Sequence, residues 1–227
     1  MSQHDQTHND KPNSQEQDIA LEQRDEIEQR LFSPSAARNC KVIVDAYQAL
    51  MPQRGTVLEI ASGTGEHGFH ITNACPQLCW QPSDPDAKSR LSIDAWAAFA
   101  NHVAIEPALN LDVTKQAWIE NLPICDGVVS INMIHIAPFA AVEGLFSGSV
   151  KLLKPGAKLF LYGPFKRHGE TATSNIEFDA SLKSRNPAWG VRDLDLDLVP
   201  LAARHKMILA DIREMPANNL CVTFQKR

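Results

Sequence analysis

Apolar positions recur along the chain in two alternating rhythms. Ala36, Cys40, Ile43, Tyr47 and Leu50 fall at helical spacing. Ser33-Pro34 supplies the start, with Ser as N-cap and Pro at the first helical position, and Pro52 and Gly55 end the helix. The short apolar run Thr56-Val57-Leu58-Glu59-Ile60-Ala61 reads as a strand. A glycine-rich turn then leads into a helix from about Glu66 to Ala74.

The alternation repeats. Leu78 to Pro82 predicts a second strand ending at Asp84, and Asp84-Pro85 predicts the cap of a helix running through Trp96. Ala108 to Val113 predicts a third strand and Gly127 to Met133 a fourth, followed by a helix from about Pro138 to Leu153. Lys154-Pro155-Gly156 turns into a fifth strand, Lys158 to Tyr162. Strands separated by helices pair in parallel through right-handed crossovers. Ile208 to Glu214 and Leu220 to Gln225 are joined by Pro216-Ala217-Asn218-Asn219, which leaves no room for a helix and predicts a closing hairpin. The expected fold is α/β and Rossmann-like: a mostly parallel seven-stranded sheet, a C-terminal antiparallel hairpin and helices on both faces. A closing hairpin on a parallel sheet resembles the class I methyltransferase pattern.

The front of the chain differs. Residues 1 to about 17 are rich in Gln, Asn and Asp, too polar to offset ordering entropy, and predict a disordered tail. Ile19, Ile27 and Leu31 among many charges predict a short helix over 18–31. The expected division is a tail, 1–30, and one folded domain, 31–227. A length of 227 residues suits one domain.

Composition adds exclusions. Hydrophobic residues at 44% and charged residues at 22% are an ordinary globular balance. A net charge of −5 with no Lys/Arg cluster argues against a nucleic-acid partner. The five cysteines are odd in number and no secretory signal precedes them, which predicts free thiols in a reducing, cytoplasmic setting. Cys75 and Cys79 have no second pair nearby, so no metal is expected. No stretch is long and apolar enough for a membrane span. The sequence leaves the oligomeric state open.

The chemistry concentrates in Val57 to His67, VLEIASGTGEH. Glycines let the backbone turn sharply and approach a ligand, and the following helix N-terminus presents free N–H groups to an anion. Glu59, four places before Gly63, is a carboxylate at a strand end, expensive unless paired. That acid and turn resemble the class I methyltransferase motif, which implies an S-adenosylmethionine (SAM) site with Glu59, Ala61, Gly63, Gly65 and His67 as candidate contacts. A rival is present in the same letters. Gly63, Gly65 and Gly68 spell G-x-G-x-x-G, with Asp84 21 positions after Gly63, and Tyr162 to Lys166 spells Y-x-x-x-K, together a dehydrogenase signature. Glu59 stands where the dinucleotide version has an apolar residue. Gly163-Pro164 breaks the helix that the Tyr–Lys pair needs. The dinucleotide reading is rejected on both grounds. The remaining cofactor candidates follow in strand order. Asp84 offers two acceptor oxygens to a ribose diol, Asp112 and Val113 suit the adenine, and Asn132 and Met133 lie beside the expected sulfonium position.

Several segments together resemble one family: SPSAARN (from Ser33), LEIASGTGEH (from Leu58), WQPSDPD (from Trp80), NMIHIAP (from Asn132), LYGPF (from Leu161), FDASL (from Phe178), NPAWGVRD (from Asn186) and MPANN (from Met215). The family is a widespread, poorly characterised methyltransferase-like one classed as a domain of unknown function. The resemblance covers about residue 31 to the end and implies a class I methyltransferase fold and a SAM site, with S-adenosylhomocysteine (SAH) as product. It implies no substrate.

Methyl transfer is an in-line displacement, so alignment is the main requirement, and a hydroxyl or protonated amine also needs a base. His135, after the fourth strand, is the candidate base, and Tyr162 the candidate orienting group. Candidate substrate contacts are Arg38 and Asn39 on the first helix and Asn175, Trp189, Arg192, Asn218 and Asn219 in loops. N-M-I-H after the fourth strand is not the motif of amino-methylating DNA enzymes, and no Pro-Cys nucleophile of cytosine C5 enzymes is present. A small-molecule acceptor is expected. A protein that binds SAM or SAH without turnover and acts through partners is the alternative.

Overall fold

The computed structural model describes residues 21–100 and 104–227. The tail expected over 1 to about 17 lies outside the described residues. Among the described residues, nine strands and six α-helices follow in order. A small hairpin, β1 (Asp25–Ile27) and β2 (Arg30–Phe32), precedes α1 (Pro34–Leu50). Then come β3 (Arg54–Ile60), α2 (Glu66–Ala74), β4 (Gln77–Ser83), α3 (Ala87–Ala100), β5 (Cys125–Ile131) and α4 (Phe139–Leu152). The long β6 (Leu153–Lys166), α5 (Thr173–Arg185), β7 (Arg192–Asp193), α6 (Val199–Arg204), β8 (Met207–Met215) and β9 (Asn219–Lys226) complete the chain.

The sheet has seven strands, six in the order β4-β3-β5-β6-β9-β8, with β7 paired to the end of β6. Pairs among β4, β3, β5 and β6 are parallel; β9 runs antiparallel to β6 and to β8. Period-two alternation assigns the two faces. Val57, Val129 and Phe160 pack with Ile43 and Tyr47 of α1 and Ile71 of α2. Leu58, Val128 and Leu159 pack with Leu145 and Phe146 of α4 and Leu201 of α6. The strand interiors are therefore apolar on both sides, as a covered parallel sheet requires.

Ser33 caps α1, its hydroxyl accepting from Ala36 N–H, with Pro34 at the first helical position. The closing hairpin also forms as expected, its turn held by Ala217 and Asn218, both at φ +57°.

Three expectations are corrected. The third strand, Ala108 to Val113, does not form. Residues 104–109 instead run beside β4 through two isolated bridges, Trp80 to Ile105 and Ser83 to Leu109. Pro107 has no N–H to continue the ladder between them, so the seventh strand is β7. The described part of the helix expected over 18–31 is the β1–β2 hairpin. Glu28 and Gln29 both adopt positive φ (51° and 67°), the geometry of a tight two-residue hairpin turn. The cap of α3 is Asp86, not Asp84: its Oδ2 accepts Ser89 N–H at 2.6 Å.

Candidate functional site

β3, β4 and β5 lie side by side and parallel, so their carboxyl ends open on one edge, where open α/β sheets bind ligands. The chain after β3 turns sharply: Ala61, Gly63 and Gly65 all have positive φ (58°, 60° and 91°). A Cβ added at Gly63 would meet nothing within 4 Å, so the turn faces open space there. Asp84, at the end of β4, holds the turn. Its Oδ2 accepts Gly63 N–H at 3.0 Å and its Oδ1 accepts Asp86 N–H at 2.9 Å. Burial raises the Asp84 carboxyl above its ordinary value, and these backbone donors oppose that shift.

Glu59 is only 1% exposed and accepts the Trp80 indole N–H at 3.0 Å. Its Oε2 also lies beneath Gly68 of α2. Burial pushes its carboxyl up to about 7, against the donors Ser62 and Trp80. It is a paired acid under the turn. Glu66, at the start of α2, is bonded likewise, accepting Ser33 N–H at 2.7 Å and the Thr64 hydroxyl at 2.8 Å.

Of the other cofactor candidates, Asn132 and Met133 share this edge, directly after β5. Asn132 follows β5 at φ +59°, its N–H donated to Tyr162 carbonyl oxygen at 2.9 Å. Met133 and Val113 are buried. Asp112 lies beyond the Ser83–Leu109 bridge and accepts the Thr114 N–H and hydroxyl at 3.0 and 2.6 Å. The imidazole of His67 is hydrogen-bonded to Asn39 Oδ1 of α1 at 2.9 Å, and burial with His70 nearby pulls it down to about 4.

His135 is 3% exposed, packs edge-on against Phe178, and its Nδ1 has no hydrogen-bond partner among the described residues. Burial, reinforced by the Arg192 guanidinium, pulls its imidazole down to about 3. Gly163 leaves room for this ring: a Cβ there would sit 3.2 Å from Nδ1 and 3.6 Å from Asn132 Oδ1. Tyr162, whose carbonyl holds Asn132, is buried, which raises its hydroxyl above the ordinary value, and the nearby Asn39 and Asn219 side chains oppose that shift.

The substrate candidates divide by position, and three expected in loops lie in regular elements instead: Asn175 in α5, Arg192 in β7 and Asn219 in β9. Asn39 is bonded to His67 at 2.9 Å and Asn219 donates to the Pro216 carbonyl at 3.0 Å, both on the Tyr162 side of the sheet edge. Arg38 is exposed, 3.8 Å from Glu22. Arg192 binds backbone: it donates to the carbonyls of Ile134 (3.1 Å), Ala137 (2.7 Å) and Ala188 (2.8 Å), fixing the loop that carries His135. Asn175 donates to Asn218 carbonyl oxygen at 2.9 Å, and Asn218 donates to Ser174 Oγ at 3.0 Å, tying α5 to the hairpin turn. Trp189 is half-buried in the loop before β7. The sequence reading missed Trp80 as the partner of Glu59. A strand tryptophan two positions before a proline signals only packing until its indole is seen to donate.

In the false Y-x-x-x-K, Tyr162 and Lys166 both lie on β6, and Lys166 is paired with Asp179 at 3.1 Å. The pair that a dehydrogenase needs on one helix is not assembled. No helix among the described residues is long and apolar enough to cross a membrane.

Solved structures share this architecture. An O-methyltransferase family protein from Burkholderia thailandensis matches with a TM-score of 0.73 at 15% identity, over 85% of this chain and 57% of that one. CalO1, a methyltransferase in calicheamicin biosynthesis solved with SAH bound, matches with a TM-score of 0.69 at 15% identity, over 85% and 54%. The mitomycin 7-O-methyltransferase MmcR matches with a TM-score of 0.71 at 13% identity, again over 85% and 54%. The chain thus spans little more than half the length of these proteins, and the likeness is one of fold: a class I methyltransferase core. Residues 30–226 match the family described as Protein of unknown function (DUF938). A match over nearly the whole folded chain settles its kinship, and the protein belongs to that family.

Proposed function

We propose that this chain is a SAM-dependent methyltransferase acting on a small-molecule acceptor. The observation that carries the reading is the pairing of Asp84 with an open glycine turn at Gly63. The fit is chemical as well as spatial. Asp84 keeps lone pairs for a ribose diol beyond its two backbone donors. The turn amides and the N-terminus of α2 suit a carboxylate. Asp112 and Val113 would face adenine, and Asn132 and Met133 the sulfonium. Glu59 supports the turn from beneath.

When bound, SAM supplies an electrophilic methyl group. The residues around it have three tasks. Asn39, Tyr162 and Asn219 form an uncharged polar corner that orients an acceptor oxygen. His135, the candidate base, is neutral with Nδ1 unpartnered among the described residues, so it can accept a hydrogen bond from the acceptor group while burial leaves it a weak base. Arg192, Asn175 and Asn218 hold the loops in place, with Arg38 and Trp189 at the rim. The absence of a basic cluster and the net charge of −5 support a small acceptor over nucleic acid, and five free cysteines agree with a cytoplasmic setting.

Calorimetry with SAM tests the reading. Micromolar binding that Asp84→Ala weakens at least tenfold is expected. No binding at high micromolar ligand, or undiminished binding in the variant, overturns it. The second reading, binding without turnover, draws on the low basicity of His135. Labelled SAM in cell extract separates the two: an acceptor labelled by the wild type but not by His135→Ala or Tyr162→Phe rejects it.

A further inference from the structure

Residues 21–32 run past the carboxyl ends of β3 and β4, and their contacts fix the course. Arg185 of α5 donates to the Leu21 carbonyl at 3.3 Å. Glu22 accepts from Ser35 N–H at 2.9 Å and from the Ser33 and Ser35 hydroxyls at the start of α1. Glu26 pairs with Lys88 of α3 at 3.3 Å. Leu31 N–H donates to Ser92 Oγ at 2.8 Å, and the Trp96 indole donates to Leu31 carbonyl oxygen at 3.1 Å. The same Ser92 hydroxyl donates to Thr64 carbonyl oxygen in the glycine turn at 2.7 Å. The segment is therefore strapped from α5, past α1, to α3.

Arg24 lies in the middle of this strap. Its positive charge favours the ionised forms of Glu66 at the start of α2, Asp84 just after β4 and Asp86 at the cap of α3. It forms no ion pair among the described residues, and its Nε is enclosed with no hydrogen-bond partner there. The three acids are satisfied by other donors. Glu66 is taken by Ser33 and Thr64, Asp84 by Gly63 and Asp86, and Asp86 by Ser89. Among the described residues the Nε of this guanidinium has no partner, and it sits in the strap that Glu66 and Ser92 tie to the glycine turn. A guanidinium fork matches a carboxylate with two parallel hydrogen bonds.

Building on the SAM reading, we propose that Arg24 is a cofactor-binding residue whose guanidinium pairs with the amino-acid carboxylate of the S-adenosyl ligand. The carboxylate is that ligand's single anionic group. Asp84 takes the ribose, and the strap roofs the other end. A buried donor without a partner is costly, and a ligand carboxylate removes that cost at Arg24.

Calorimetry on the full chain with two probes tests this. SAH carries the carboxylate; 5′-methylthioadenosine keeps the adenosyl thioether and lacks the amino-acid end. Arg24→Gln is expected to weaken SAH about ten- to hundredfold, the range for hydrogen bonds to a charged group. It is expected to leave methylthioadenosine within about threefold, which also shows the fold intact. Equal losses for both probes, or no loss for SAH, overturn the proposal. Wild-type protein that binds neither probe overturns the cofactor reading itself, a result distinct from either.

Discussion

The Asp84 carboxylate accepts the backbone N–H of Gly63 across the gap between two adjacent strand ends, at 3.0 Å. The glycine turn is thus shaped by the neighbouring strand as well as by its own residues. Asp84→Ala leaves two backbone donors, on Gly63 and Asp86, without their acceptor. A loss of about 2 kcal/mol or more is expected, measurable by chemical denaturation, alongside the loss of cofactor binding.

Gly63 and Gly65 separate binding from folding. A Cβ at Gly63 meets nothing, so Gly63→Ala costs only the left-handed backbone, about 1–2 kcal/mol. Its methyl group projects into the open face, so binding of SAM falls. A Cβ at Gly65 would sit 2.9 Å from Ile93 Cα in α3, a backbone atom that cannot yield. Gly65→Ala is expected to destabilise by about 3 kcal/mol or more. Denaturation of the two variants side by side checks the order; equal losses would contradict it.

Glu59 makes the protein less stable as pH rises. Its folded carboxyl is raised to about 7 by burial. A raised acid favours folding fully below its unfolded value, and that contribution is lost as pH climbs through about 7. Every tenfold difference in proton affinity between the folded and unfolded chain is worth about 1.4 kcal/mol. Glu59→Gln keeps an acceptor for Trp80 and removes the titration. Its melting temperature is expected to exceed the wild type's at pH 8 and to match it near pH 5.

His135 acts in the opposite sense. Burial and Arg192 lower its folded value to about 3, so its contribution is complete above the ordinary histidine range near 6.5. That contribution is lost as pH falls from there towards 3. His135→Gln is expected to flatten the acid side of the stability profile. His135 itself stays neutral in the assay range, so methyl transfer should show no histidine step between pH 6 and 7. A step there that His135→Gln abolishes would contradict the burial argument.

Arg192 tests the loop. Arg192→Ala removes donors from three carbonyls and uncovers the segment from Ile134 to Ala137. Hydrogen exchange in that segment is expected to rise, with a stability loss of about 2–4 kcal/mol. Arg192→Lys should recover only part of it, because one ammonium cannot reproduce the planar fork.

Strand-and-helix order was legible in the sequence because each element carries its own period. Ser33-Pro34 fixes the start of α1, Gly163-Pro164 keeps β6 extended, and Asn218 suits the closing turn; these are local preferences that tertiary packing reinforced, whereas Ala217 is held at φ +57° against its own preference. The edge carrying Gly63, Asp84 and Asn132 was legible for the same reason, since parallel strands bring their carboxyl ends together.

Partnership was not legible. Nothing local in Glu59 points to the Trp80 indole, in Arg192 to two carbonyls of a distant loop, or in Arg24 to the acids around the glycine turn. Pro107 broke the expected third strand only because its missing N–H falls in the ladder with β4. The three-residue strands β1 and β2 are too short to show a period. The sequence by itself determined the order of most strands and helices and the sheet edge where a ligand could bind, because periodicity and turn chemistry are local. Only the tertiary structure decided which polar groups are already paired and which, like Arg24 Nε and His135 Nδ1, stay open among the described residues, because hydrogen bonds are shared between residues far apart in the chain.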